Sequence, residues 1–348
     1  MTLIREGVVD AVLLGCEHLP HAQSYVGALG RSSVGRLVGV YDESPELGGP
    51  LAEQAGAVFE SDPERLLTRC RPTAAVVCSS TDRHRRLVEL ASSMGVHVLC
   101  EKPLAPNVED AEAMVAACRR DGVQLHTAFV SRFYPVLQQV RDLNVRGELG
   151  RVRGMVGGNR GVPPLPPRYP AWITQASAAG GGALIDHSVH VVDAMRFVSG
   201  LEATEVLAET GSLFWGIDVE DSALVSVVFE GGVAAHVDPS WSVTSANPWQ
   251  YDFYLRLLGS EGSVSIAAAR ESIEVSGALG ERTYASVSFE PDVDQAMVEA
   301  FLQSVLQGRV LDPCATGEDG LRAVEVACAA YASVGTGEFV TTAVGGRG

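Results

Sequence analysis

The chain has 348 residues, 46% of them hydrophobic and 20% charged, with a formal net charge of −17. That length suits two domains better than one, and the composition excludes a disordered chain. An acidic surface repels phosphate backbones, no apolar run is long enough to span a bilayer, and residues 1–7 carry no basic stretch before an apolar core, so nucleic acid, a membrane span and a signal peptide are not expected.

The first third alternates short apolar runs with helical stretches. Val8–Leu14 reads as a strand that stops at Gly15, and a helix from about Pro20 to Arg31 follows. Arg36–Tyr41 reads as a second strand, followed by a helix through Ala52. Ala74–Cys78 is a buried strand, Asp82–Met94 a helix and Val96–Cys100 another strand. Asn107–Arg120 is a helix with an Asn cap and acids in its first turn, and Val123–Thr127 closes the series. This rhythm predicts a doubly wound parallel sheet, a Rossmann-type α/β domain over residues 1–128.

Past Phe129 the pattern changes. Helices are predicted around Tyr134–Leu143 and Val189–Phe197, then strands at 205–210, 223–229, 233–238, 251–258 and 263–266. Glycine- and serine-rich turns between them indicate an open, mainly antiparallel sheet. Two helices, Asp294–Leu306 and Glu318–Ser333, finish a second α/β domain over 129–348. The proline-rich run 162–167 is a rigid loop. Seven cysteines at 16, 70, 78, 100, 118, 314 and 328 form no CxxC pair. Neither a metal site nor a disulfide framework is expected, and a reducing, cytoplasmic setting is.

A strand ending in glycine and feeding a helix can hold a pyrophosphate, because the turn is tight and the helix start offers free N–H groups. Here that corner reads Gly15-Cys16-Glu17-His18-Leu19-Pro20, with glycines absent at 17 and 20 and an acid at 17 where a phosphate would lie. By itself it is also an ordinary strand-to-helix turn. Asp42 at the end of the second strand suits both ribose hydroxyls of NAD and would repel a 2′-phosphate, and no Arg or Lys lies just after it. NAD is therefore expected over NADP. Ser79, Ser80, Thr81 and His84 form a polar loop at the carboxyl end of another strand, where ligands of such sheets sit.

Glu101-Lys102-Pro103 also follows a strand directly. A lone surface lysine is ordinarily a solvated charge, but this one lies on the ligand side of the sheet with a proline after it. The run His97–Ala105 closely resembles a signature of the Gfo/Idh/MocA oxidoreductase family. Val130–Pro135 with Gly147–Val152, the segment Gly180–Asp193 carrying a glycine run before Asp186-x-x-x-His190, and the tail from Phe301 to Leu321 are similar to it as well. The resemblance implies a Rossmann domain for NAD or NADP and a carboxy-terminal domain whose open sheet builds homodimers or homotetramers. It matches Lys102, Asp186 and His190 to the family's catalytic residues. Gly15, Glu17, His18, Leu19, Asp42, Ser79, Ser80, Thr81, His84, Glu101 and Lys102 are the candidate cofactor-binding residues. Departures from the pattern are the missing glycines, His187 where an aliphatic residue is usual, and Ser188 where glycine is usual.

Residue chemistry agrees. Asp186 and His190, four apart, share a helix face. Histidine suits a base that takes a hydroxyl proton as hydride leaves carbon, a carboxylate one turn away can orient it, and a lysine can hold the substrate oxygen. Arg132, Tyr169, Trp172 and His187, with Lys102 and His190, are candidates for the substrate pocket, and Trp172 suits either a sugar ring or a domain interface. The expected activity is hydride transfer between NAD and a secondary alcohol or ketone of a sugar, cyclitol or sugar derivative. Alternatives are net non-redox chemistry through transient use of bound NAD, as in glycoside cleavage or epimerisation, and a non-catalytic cofactor-binding protein.

Overall fold

The computed structural model describes residues 7–244, 246–247, 251–268, 272–279, 282–288 and 292–347. Residues 1–6, read above for a leader, lie outside the described residues. The first sheet is built from β1 (Val9–Leu14), β2 (Gly35–Tyr41), β3 (Val58–Glu60), β4 (Ala74–Val77), β5 (His97–Cys100) and β6 (Leu125–Thr127). They run in the order 3-2-1-4-5-6, all parallel, with an antiparallel edge strand, Ala315–Thr316, beside β6. Helices on both faces bury these strands, which is why they read as continuous apolar runs rather than alternating ones. The order reverses between β1 and β4, and ligands of such sheets sit at the carboxyl ends beside that point.

Helix α1 (Leu19–Arg31) follows β1, and α2 (Pro45–Ala55), α3 (Pro63–Cys70), α4 (His84–Ser93) and α5 (Val108–Asp121) complete the crossovers. The Asn107 side chain caps α5, its Oδ1 accepting from the Asp110 N–H at 2.8 Å. The core on this sheet draws on both ends of the chain. Met297, Val298, Phe301 and Leu302, from the helix Val293–Gln307, pack with Val9, Ala22 and Leu29.

The linker 130–133 and helix α6 (Pro135–Val145) lead to the second sheet. Its strands are β7 (Val152–Gly161), β8 (Ala203–Gly211), β9 (Ser222–Phe229), β10 (Val233–Ser240), β11 (Tyr251–Gly259) and β12 (Ser263–Ala268), ordered 12-11-7-10-9-8, with Val340–Thr341 at the edge. All neighbours are antiparallel except β7 and β10. A separate hairpin pairs Ser272–Leu279 with Arg282–Ser288. β7 is absent from the sequence-based reading because four of its ten residues are glycine, a composition that reads as loop. The glycines let the helix Ala183–Ser199 lie close: a Cβ on Gly157 would sit 2.8 Å from Val191.

After the short helix α7 (Ala176–Ala179), helix α8 (Ala183–Ser199) crosses one face of this sheet and carries Asp186, His187 and His190. It starts six residues earlier than its hydrophobic pattern indicates, because its cap comes from elsewhere in the chain. Glu220 Oε1 accepts from the Gly182 and Leu184 N–H groups at 2.9 and 3.0 Å, and the Tyr331 hydroxyl donates to the same oxygen at 2.7 Å. The glycine run is steric. A Cβ on Gly181 would lie 1.9 Å from the Tyr331 hydroxyl, and one on Gly182 2.1 Å from the Glu220 carbonyl.

Candidate active site

The Glu101-Lys102-Pro103 turn leaves β5 at its carboxyl end and meets the first turn of α8. Lys102 Nζ donates to Asp186 Oδ1 at 2.6 Å. The other carboxylate oxygen accepts from Trp241 Nε1 at 3.1 Å and lies 3.2 Å from His187 Nε2. Burial alone would raise the Asp186 carboxyl, but Lys102 first and His187 second hold it well below the usual carboxylate range. Asp186 is thus ionised and lies between Lys102 and His187. Its position in the first helical turn adds attraction from the N–H groups at the helix start.

Glu101 is buried, and three donors neutralise it. The Lys102 N–H donates to Oε2 at 3.0 Å, while His21 (2.7 Å) and the Tyr25 hydroxyl meet Oε1. His21 and Tyr25, four apart on α1, therefore tie the cofactor helix to the lysine turn. His84, fully buried, does the same from α4. Its Nδ1 faces the Pro103 and Leu104 carbonyls, both at 3.1 Å, and its Nε2 the Ser79 carbonyl at 3.3 Å. The chain thereby fixes the backbone on both sides of Lys102 with side chains from two helices.

His190 lies one turn beyond Asp186, edge-on to Phe129 with ring centroids 6.1 Å apart. Among the described residues its imidazole makes no side-chain hydrogen bond. Burial first, then the neighbouring Lys102 and His187, push its proton affinity well below that of free histidine. It is a neutral imidazole without a side-chain hydrogen bond among the described residues. Asp186, expected to orient it, is bound to Lys102, His187 and Trp241 instead.

The cofactor corner keeps its geometry without two of its glycines. Gly15 has φ +89°, and a Cβ there would sit 2.6 Å from the Ser79 side chain and 2.7 Å from its backbone. This is a close approach that only glycine permits. His18 is the cap position of α1 but provides no side-chain bond to it, so the first N–H groups of the helix face the corner free, save for that missing at Pro20. Glu17 turns away from this position. Its carboxylate accepts from the Ser80 N–H at 3.1 Å and pairs with Arg83 at 2.9 Å, so the acid is neutralised within the protein. Asp42 accepts from the Cys16 N–H at 2.6 Å and the Ser44 N–H at 2.8 Å, one bond per oxygen, which leaves lone pairs on both. With Glu17, Tyr41, Glu43, Ser79, Arg83, Arg86 and Leu87 these residues line a cleft. Thr81, buried, opens the short turn behind it. A tight glycine approach, an uncapped helix start and an acid at the end of β2 fit a dinucleotide.

Of the expected pocket residues, Tyr169 and Trp172 come to the cofactor corner. Both rings lie edge-on to His18, and Trp172 Nε1 donates to the Glu17 carbonyl at 3.3 Å. His187 joins the reactive cluster. Arg132 corrects the expectation: it is buried and spent on a structural pair. Its Nε and Nη2 donate to Asp193 at 2.8 and 2.6 Å, Nη2 also reaches Asp319 at 3.1 Å, and Nη1 the Cys314 carbonyl at 3.5 Å. Trp241, His21, Tyr25, Arg83 and Glu220 were not singled out in the sequence. The i, i+4 spacing of His21 and Tyr25 was the one local signal available. Trp241 and Glu220 arrive from distant turns and left none.

A doubly wound sheet with this corner, and a lysine after its strand β5 paired with an aspartate on the helix of the second sheet, point to the NAD-binding oxidoreductase class. Residues 9–129 match the family model described as "Oxidoreductase family, NAD-binding Rossmann fold", and residues 137–265 match the GFO/IDH/MocA C-terminal domain. The D-apiose dehydrogenase of Paraburkholderia graminis is 30% identical over 282 residues, covering 76% of this chain and 71% of that protein. The 1,5-anhydro-D-fructose reductase of Ensifer adhaerens is 29% identical over 320 residues, covering 90% and 92%. The crystal structure of GenD2 from gentamicin A biosynthesis, in complex with NAD, superposes with a TM-score of 0.85 over 98% of this chain and 99% of that one, at 24% identity. The chain belongs to the GFO/IDH/MocA oxidoreductase family, and NAD is its cofactor. Among the described residues no helix is long and apolar enough to cross a membrane, and no cluster of three or more His, Cys, Asp or Glu side chains could hold a metal ion.

Proposed function

We propose that this oxidoreductase transfers hydride between NAD and a secondary alcohol or ketone of a sugar, cyclitol or sugar derivative. The observation that carries this is the Lys102–Asp186 pair at 2.6 Å with neutral His190 one turn away. Residues 1–128 hold the cofactor through Gly15, the α1 start, Asp42 and the 79–81 loop; residues 129–348 complete the site. Bound NAD accepts or supplies the hydride. In oxidation the Lys102 ammonium holds the substrate oxygen and stabilises the charge developing there, while His190 takes the hydroxyl proton. In reduction the same imidazole returns it. Asp186 holds Lys102 in place. The names of the relatives, a reductase of an anhydro sugar and a dehydrogenase of a pentose, support the substrate class. Val156, Leu224 and Leu258 point away from the helix-covered face of the second sheet and are exposed, which supports a second copy of the chain over that face. The seven unpaired cysteines suit a reducing, cytoplasmic compartment.

The test is NADH fluorescence on mixing, followed by a polyol panel read at the NADH absorbance. Fluorescence enhancement with release of NADH on a sugar or cyclitol is the expected result. Absence of any fluorescence change at high NADH would refute the reading. Substrate conversion without released NADH would mark a transient redox cycle instead. Asp42→Asn keeps one acceptor for the loop N–H groups and removes the charge. Its NADP affinity relative to NAD is expected to rise about ten-fold or more, since the repulsion of a 2′-phosphate is lost; an unchanged ratio by fluorescence titration would show that Asp42 does not set the preference.

A further inference from the structure

Glu17 stands where a dinucleotide turn ordinarily has a glycine, which keeps the phosphate's place open by having no side chain. Here the side chain is present and is held elsewhere. The Glu17 carbonyl accepts from Trp172 Nε1 at 3.3 Å. The carboxylate leaves the turn and reaches the loop after β4, where Oε2 accepts from the Ser80 N–H at 3.1 Å and Oε1 lies 2.9 Å from Arg83 Nη1. The same Arg83 nitrogen donates to Glu43 Oε2 at 3.0 Å, and Arg86 lies 3.6 Å from the other Glu43 oxygen. Glu17 belongs to the turn between β1 and α1, Glu43 to that between β2 and α2, and Arg83 to the short helical turn Thr81–Arg83 between β4 and α4. One guanidinium thus links three loops where the strand order reverses, and all three side chains line the cleft that Gly15 and Asp42 also line.

We propose that Arg83 is a positioning residue for the cofactor: its ion pair with Glu17 substitutes for the glycine missing at 17, holding the carboxylate out of the pyrophosphate's place and cancelling its charge there. This deepens the functional reading above and rests on it for the cofactor corner at Gly15 and the α1 start, not for the substrate. Two effects act together. The first is steric and geometric. With Oε2 on the Ser80 N–H and Oε1 on Arg83, both carboxylate oxygens are committed to the β4 loop, and the side chain has no freedom to swing back over the helix start. The second is electrostatic. Glu17, Asp42 and Glu43 are three acids in the cleft, against two cations, Arg83 and Arg86. Without Arg83 the three acids face a single cation, and they surround the place that must receive the two negative charges of a pyrophosphate. Burial pushes the Glu17 carboxyl up, and Arg83 is the first of the groups that oppose this. The pair is therefore what lets an acid occupy this turn in a chain that binds NAD.

The experiment is a fluorescence titration of the full chain with NADH, which needs no turnover. Arg83→Gln is expected to weaken NADH binding about ten-fold, because it leaves the Glu17 carboxylate unpaired beside the pyrophosphate. The pair is partly exposed and therefore screened, so the gap from wild type is expected to shrink at high salt. The double variant Glu17→Gln/Arg83→Gln keeps an acceptor for the Ser80 N–H and removes the acid's charge. It is expected to bind NADH within about three-fold of wild type. Both variants lack Arg83, so a loss caused only by disturbed packing at position 83 would persist in the double variant, and that result would overturn the proposal. Unchanged NADH affinity in Arg83→Gln would overturn it as well. Either result, with normal binding by the wild type, leaves the functional reading standing. Wild-type protein that binds no NADH would instead overturn the functional reading and this inference together.

Discussion

Lys102→Ala is expected to lower kcat by about a thousand-fold or more, on the order of 4 kcal/mol of transition-state stabilisation, while NADH affinity changes by no more than roughly three-fold. The size of the effect follows from what Lys102 touches. Its ammonium is partly buried and bonded to Asp186 at 2.6 Å, on the side of the sheet where the cofactor corner opens. A donor fixed before the reaction costs no reorganisation when charge develops on the substrate oxygen. The backbone on either side of it is fixed separately, by Glu101 with His21 and Tyr25 and by His84, so truncation of the side chain leaves the turn in place. Lys102→Arg is expected to recover little, because a planar fork does not reproduce the compact ammonium between Asp186 and the substrate. Stopped-flow hydride transfer and a fluorescence titration measure the two quantities separately. Near-normal turnover in the Ala variant would remove Lys102 from the reactive centre.

The second large effect is on stability. Arg132→Met strands Asp193, which is wholly buried, without its bidentate partner. Removing one member of a buried ion pair leaves an uncompensated charge and costs about 3–5 kcal/mol. Arg196 cannot take over: it is bonded to Glu202 at 2.6 and 2.7 Å and to Asp319 at 3.0 Å, and its nearest approach to Asp193 is 3.9 Å. The network joins the linker between the domains, α8 and the helix Gly317–Thr336, so its loss loosens the helix that carries Asp186 and His190. Denaturant unfolding is expected to show the full destabilisation in Arg132→Met and a smaller one in Arg132→Met/Asp193→Leu, where no buried charge is left behind. If Arg132 bound substrate instead, the single variant would raise KM and leave the unfolding midpoint in place.

The aspartate network also shows why sequence reading misassigned Arg132. Arg132 follows the end of the first domain and lies near motif positions along the chain, which is all that a sequence displays. Whether its guanidinium faces a pocket or a buried carboxylate depends on Asp193 and Asp319, 61 and 187 positions away. The elements of the first domain were legible because their signals are local: apolar runs bounded by Gly15 and Asp42, an Asn107 cap, acids at the start of α5. β7 was hidden because its glycines answer to the close approach of α8, and the start of α8 because its cap is Glu220.

By itself the sequence determined the alternation of strands and helices and the doubly wound sheet. These follow from burial periodicity and from turn and cap chemistry, which act over a few residues. Only the tertiary structure decided the pairing: Asp186 with Lys102, His187 and Trp241 rather than with His190, Glu17 with Arg83 rather than with a phosphate, and Arg132 with Asp193 rather than with substrate. Charge pairing in a low-dielectric interior is set by which side chains share a small buried volume, and that is a property of packed elements, not of neighbouring positions in the chain.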